Sequence, residues 1–317
     1  MYIHEKVSLD ENVKLVVENE NCAVYKVEDA SGEGLMTCYH VFPGIVLLYN
    51  DFHIESFDSQ VRPHADMFCV DHCREGRIEW ELDNGNCMYQ DSGILQFDTR
   101  EKQKPYFNCP LRYYHGITIN FFIDEAQESL STALDGFAVD LRGLREKLCP
   151  GGWPRAMTAG RIPGFNFETL YTMNEHIRLN LFRIKILELL LYLDVLPTGD
   201  ELRKRSYFRK TQVDTIKAIE RFMTAHPENR YTLEELSERF KISLTSMKRC
   251  FKGVYDSSMY TYMRTWRMNA AAVMLRETNE SIIFIAGELG YDNASKFSSA
   301  FQDVIGKTPS EYRKNLW

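Results

Sequence analysis

The chain has no long apolar run. Its best candidate, "KILELLLYLDVL" (185–196), is too short and too charged to span a bilayer, and no opening apolar segment of the signal-peptide type is present. The expectation is a cytoplasmic protein without membrane contact. An overall excess of base is also missing: 38 Lys and Arg stand against 45 Asp and Glu, a net charge of −7, which taken whole argues against a nucleic-acid partner. The eight cysteines are scattered along 317 residues, so they read as reduced, mostly buried thiols rather than a disulfide framework.

The charge is not evenly spread. From Ser206 onward there are 17 basic and 13 acidic residues, a balance of +4, which leaves −11 on the remainder. With 44% hydrophobic residues the chain can bury two cores, and its two ends are patterned differently.

In "SIIFIAGELGYDNASKFSSAFQDVIGKTPSEYRK" (281–314), apolar residues recur at helical spacing in two segments, Ile282 to Leu289 and Phe297 to Val304. Gly290 ends the first, Asp292 or Asn293 caps the second, Gly306 ends it, and Thr308-Pro309-Ser310-Glu311 opens a third as a capping box. The pattern occurs once before. Thr232 stands for Ser281, Leu236 for Ile285, Met247 for Phe297, Phe251 for Phe301 and Ser258 for Thr308, with a helix over about Met259 to Arg276 between the copies. Lys241 and Asp256 replace the two glycines, and a left-handed lysine costs roughly 1 kcal/mol.

The second helix of each copy has an apolar stripe (Met247, Cys250, Phe251, Val254; Phe297, Ala300, Phe301, Val304) and a polar face without carboxylates. One such face is ordinary solvated surface. Two, on matched helix-turn-helix units, suit base edges and phosphates in a major groove. The candidate DNA contacts are Thr245, Ser246, Lys248, Arg249 and Lys252 in the first copy, and Asn293, Ser295, Lys296, Ser298, Ser299 and Gln302 in the second.

Ile285-Ala286, Gly290-Tyr291, Ser295, Phe297, Phe301, Gly306, Thr308-Pro309 and Tyr312-Arg313, with Arg249-Cys250-Phe251-Lys252, resemble the DNA-binding domain of the AraC/XylS family of bacterial transcription regulators. The resemblance covers about Lys210 to Trp317. It implies two recognition helices, about Thr245 to Lys252 and Asn293 to Gln302, entering successive major grooves of double-stranded DNA. It further implies an activator working with RNA polymerase, a cupin-like sensor for a small-molecule effector, and a homodimer.

Residues 1–123 support the sensor by their own pattern. Short runs such as "VKLVV", "CAVYKV", "GIVLLYN", "RIEWEL", "GILQF" and "GITINFF", broken by turns such as Asp83-Asn84-Gly85-Asn86, predict an antiparallel β-barrel or jelly roll. Residues 124–200 return to helical spacing: "DEAQESLSTAL", "LRGLREKL", a break at "CPGGWPRAMTAGRIPG", and a long helix from about Glu168 to Leu196. Its stripe of Ile177, Leu181, Ile184, Leu187, Leu191 and Val195 either packs on the barrel or pairs two chains. Pro197-Thr198-Gly199-Asp200 and Arg203-Lys204-Arg205 read as a linker before a DNA-binding domain at 206–317. The expected class is therefore multidomain α+β, an antiparallel β domain and helical dimerisation segment followed by an all-α double helix-turn-helix.

Candidate effector residues are His64, His72, Arg74 and Arg77, the arginines flanking an expected tight turn in "CREGRIEW". On a strand, Cys69, Asp71 and Cys73 share one face and His72 takes the other. The close-spaced histidine pair of metal-binding cupins is missing, so no metal, cofactor or catalytic residue is assigned. The competing reading is an enzyme carrying the same DNA-binding module, either a metal-dependent cupin or a methyl-transfer repair protein. The latter needs a Pro-Cys-His-Arg segment, which this chain lacks.

Overall fold

The computed structural model describes residues 12–58, 66–197 and 207–314. The chain divides into two compact units, Met1–Tyr207 and Phe208–Trp317.

The first unit is a curled antiparallel sheet, as its short alternating runs predict. β1 (Val13–Glu18), β2 (Cys22–Asp29), β3 (Gly32–Phe42) and β4 (Ile45–His53) are followed in space by β10 (Tyr114–Phe122) and β6 (Met67–Leu82). β6 is the spine of the curl. Its first half pairs with β8 (Ile94–Asp98) and its second half with β7 (Asn86–Asp91) and β9 (Gln103–Asn108). β5 (Ser56–Asp58) adds to β9, and β11 (Arg155–Thr158) adds to β8. The hairpin turn after β6 is the Asp83-Asn84-Gly85 segment, where Gly85 takes φ +73°.

Two segments differ from the sequence expectation. "CREGRIEW" is no tight turn: it lies inside the 16-residue β6, where Gly76 at φ +81° absorbs a kink without ending the strand. The Gly/Pro-rich break contains β11, because its Arg155–Thr158 stretch finds a partner in β8.

Alternation gives the sheet two buried faces. One packs Tyr25, Cys38, Leu48, Phe52, Cys69 and Ile78 together. The other packs Leu47, Phe68, Val70, Phe97, Ile119 and Phe121 under α1 (Ile123–Ala133), α2 (Leu141–Leu148), α3 (Glu168–Tyr171) and α4 (Arg178–Val195). Each fully buried Leu, Ile or Phe contributes about 1.5–3 kcal/mol.

The expected helix over Glu168–Leu196 is therefore three pieces, α3, a single 3-10 turn at Glu175–Ile177, and α4. Asn174 interrupts it by capping the 3-10 turn, accepting from the His176 amide at 3.0 Å. Along α4, Phe182, Ile186, Leu189, Leu190 and Leu193 are buried against the sheet. Leu187, whose stripe could either pack on the sheet or pair two chains, packs partly buried against that core. Ile184, Leu191 and Val195 remain 59%, 52% and 75% exposed, so α4 carries apolar residues on both sides. The linker residues 198–206 and His64 lie outside the described residues.

The second unit is all helix apart from its first residues: α5 (Lys210–Ala225), α6 (Leu233–Phe240), α7 (Leu244–Tyr255), α8 (Met259–Glu277), α9 (Ile282–Glu288), α10 (Ala294–Ile305) and α11 (Pro309–Lys314). Among the described residues no helix is long and apolar enough to cross a membrane.

His72 stands on the helix-covered face, stacked on Phe167 with ring centroids 4.4 Å apart, its Nδ1 2.9 Å from the Tyr171 hydroxyl. Burial, with Arg74 nearby, lowers its pKa to about 4. A folded value below the unfolded 6.5 means that His72 contributes stability above pH 6.5, and that this is lost as pH falls towards 4. Urea unfolding of the first unit should lose on the order of 3 kcal/mol across that window. His72→Gln should flatten the dependence. An equal slope in both proteins would remove His72 as the cause.

Candidate functional site

α6 and α7 form the first helix-turn-helix. Thr232 and Glu235 close the expected capping box at the start of α6, with bonds of 2.7 and 3.2 Å. Lys241 turns the chain at φ +51°, in the left-handed region, and its amide reaches the carbonyls of Glu238 and Ser237. Ser243 then caps α7 by accepting from the Ser246 amide. Met247, Cys250, Phe251 and Val254 are buried as the stripe requires. That burial turns Thr245, Lys248, Arg249 and Lys252 outward to solvent, while Ser246 is half-buried beside the cap.

α9 and α10 repeat the motif. Gly290 takes φ +74° and Tyr291 returns its amide to the Ala286 carbonyl at 2.9 Å. Of the two cap candidates, Asn293 does the capping, accepting from the Ser295 and Lys296 amides at 2.8 and 3.0 Å. Phe297, Ala300 and Phe301 are buried. Ser295, Lys296, Ser299 and Gln302 are exposed and Ser298 is half-buried. Asp303 lies beyond this face and is held by Arg264 at 2.5 Å.

One edge of each outer face borders a shared cleft of about 970 Å³, which Arg249, Ser295 and Gln302 do not line. Lys248 and Lys252 line it from α7, Lys296 and Ser299 from α10, and Arg230, Arg264 and Arg267 complete the wall. Six cations and no carboxylate line it, so its potential is positive although the chain as a whole is acidic.

The first unit holds a different constellation, which the sequence reading missed. Register aligns Thr118, Asp71 and Gln96 across β10, β6 and β8, and in the next row Asn120, Cys69 and Asp98. Asp71 Oδ1 accepts from Arg100 Nη2 at 2.6 Å and from the Thr118 hydroxyl at 2.7 Å, and Asn50 donates to Thr118 at 3.0 Å. Burial raises the Asp98 pKa, with the Arg100 guanidinium opposing it. Arg100 has φ +61°, a left-handed backbone stabilised by its amide donating to Asp98 Oδ1. Asp71 Oδ2, Gln96 Oε1, Asn120 Oδ1 and Arg100 Nη1 are buried without a hydrogen-bond partner. Such atoms each cost about 1–3 kcal/mol, and in a native fold each calls for a water, an ion or another polar partner.

The candidate effector residues do not join this cluster. Arg74 bonds Glu168 at 3.0 Å and, like His72, lies against Tyr171 on the helix-covered side of the sheet. Arg77 is buried, paired with Asp91 at 2.7 Å and packed over Tyr89. All eight cysteines are free thiols, and among the described residues no group of three or more His, Cys, Asp or Glu is placed to hold a metal ion.

Comparison with known proteins finds a helix-turn-helix domain profile matching residues 236–315. A putative AraC-like transcription regulator of Streptomyces lividans is 33% identical over 89 residues, covering 28% of this chain and 29% of that protein. The multiple antibiotic resistance protein MarA of Escherichia coli is 30% identical over 105 residues, 33% of this chain and 83% of MarA. The C-terminal domain of AraT, a response regulator from Geobacillus stearothermophilus, is 28% identical, covering 32% of this chain and 84% of that one, with a TM-score of 0.31. The chain thus spans less than a third of the Streptomyces relative and most of MarA.

Proposed function

The chain belongs to the AraC/XylS family of transcription regulators, and from that premise we propose a sequence-specific DNA-binding regulator controlled by a small-molecule effector. Residues 1–123 are the sensor, 124–200 the dimerisation segment and 206–317 the DNA reader. The observation that carries the reading is the pair of capped helices, α7 and α10, whose carboxylate-free faces border one cationic cleft. Arg249 and Lys252 read bases and phosphates from the first helix, and Asn293, Ser295, Lys296, Ser298, Ser299 and Gln302 serve the second, with Thr245, Ser246 and Lys248 completing the first. Asp71, Gln96, Asn120 and Arg100 supply the effector's hydrogen bonds, since a buried atom of each lacks a hydrogen-bond partner and the left-handed Arg100 is the kind of backbone strain that gathers at ligand sites. The effector is accordingly a small polar molecule offering both donors and acceptors. The exposed side of α4 pairs two chains, because Ile184, Leu191 and Val195 stand exposed along it at spacings of seven and four, with Ile177 exposed just before its start.

Arg249→Ala should cost about 1–3 kcal/mol at one operator position and relax base preference there, measured across a substituted operator series. Lys252→Ala should reduce the salt slope by about one unit at unchanged base preference. Affinities unchanged from wild type across the series would remove Arg249 from the readout, and an unchanged salt slope would remove Lys252. Leu191→Glu should give monomers with an intact sheet by sedimentation and far-UV circular dichroism, because the charge falls on the pairing surface. A dimer that persists would leave α4 unpaired. In a thermal-shift screen of small polar metabolites, a ligand at a hundred times its Kd should add about 2.7 kcal/mol to the first unit. Asn120→Ala should abolish that gain, and a ligand whose gain survives it binds elsewhere.

A further inference from the structure

The second unit holds its two helix-turn-helix motifs on one linking helix, α8, and a second connection runs beside it. Arg267, near the middle of α8, donates from Nε to the Pro227 carbonyl at 2.9 Å and from Nη2 to the Asn229 carbonyl at 2.9 Å. These bonds pin the loop that joins α5 to α6 against α8. The next residue in that loop, Arg230, reaches across to the second motif. Its Nε and Nη2 converge on the Gly290 carbonyl at 3.2 and 2.9 Å, with the guanidinium 5.8 Å from the Tyr291 ring centroid. Contact continues under the turn: a Cβ placed on Gly290 would lie 2.6 Å from the Glu228 carbonyl oxygen. The turn of the second motif is seated, backbone against backbone, on the loop that leads into the first.

We infer that Arg230 is a positioning residue for DNA reading: its two-pronged bond to Gly290 fixes the separation of α7 and α10, and with it the number of base pairs required between the two sequence boxes. The inference rests on the reading of both helices as DNA readers. A single linking helix leaves each motif free to rock about its own packing contacts, whereas a cross-brace from the first motif's entry loop to the second motif's turn opposes that motion. Arginine suits the role because its planar fork donates two bonds from a rigid group, where lysine offers one mobile point.

The test uses the full-length protein and DNA sequences selected from a random pool. Wild type should recover two boxes at one spacing. Arg230→Ala should recover several spacings and bind the wild-type spacing about tenfold more weakly, with Arg230→Lys in between. Recovery of the single wild-type spacing by Arg230→Ala would overturn the inference. A second measurement needs no DNA. Spin labels at Glu238→Cys and Glu288→Cys, in a Cys22→Ser background that removes the half-exposed native thiol, should give a narrow distance distribution that broadens in Arg230→Ala. An unchanged width would also overturn it. Should wild type select no sequence at all, the DNA reading fails, and the distance distribution alone then judges the brace.

Discussion

A helix must satisfy the amides of its first turn, and in the second unit that requirement fixes where nearly every element begins. Thr232, Ser243, Ser258, Ser281, Asn293 and Thr308 each accept a bond from an amide two or three residues on. Once the start is set, 3.6-residue periodicity decides which side chains fall inward. Met247 and Phe251, or Phe297 and Phe301, enter the core only because Ser243 and Asn293 start their helices in that phase, and the basic and hydroxyl residues then have only the outer face to occupy. The polar outer face of each second helix is thus a consequence of short polar side chains that start the helices in the right phase.

In the first unit the governing contrast is between the two faces of β6. Val70 and His72 point to the helix-covered core, while Cys69, Asp71 and Cys73 point the other way. On the helix side, burial is answered by aromatic packing, with His72 on Phe167 and Tyr49 donating to the Leu170 carbonyl. On the other side a full apolar filling is absent, and charged and amide groups share the space with Phe52 and Leu48. Replacing such a cluster by apolar residues would often be neutral or stabilising, so its presence asks for a reason other than stability.

Much of this was legible in the sequence, and what was legible was local. Caps, left-handed turns and helical stripes are written within a few residues, and so the repeat, the linking helix and the second helix of each copy could be read directly. The polar cluster was not, because Asn50, Asp71, Gln96, Asp98, Thr118 and Asn120 come from four strands and only pairing register brings them together. His72, Arg74 and Arg77 are conspicuous in the sequence by residue type, and the fold engages them with Tyr171, Glu168 and Asp91. α4 misled for another reason. It is apolar on both sides, so spacing alone does not rank the Phe182 to Leu193 stripe above the exposed one, and of the two roles open to its stripe Leu187 takes packing on the core.

The two motif turns show how the same backbone requirement is met under different constraints. Lys241 accepts a left-handed conformation at roughly 1 kcal/mol, helped by the Ser237 hydroxyl closing on the Ile242 carbonyl at 2.6 Å. A side chain is tolerable there because the lysine is exposed to solvent. At Gly290 the same conformation coincides with a carbonyl 2.6 Å from any Cβ, so a lysine would pay the backbone cost and also push the entry loop away. Glycine is therefore demanded by the neighbour as much as by the turn, and the difference between two copies of one motif records which of them carries the contact that joins them.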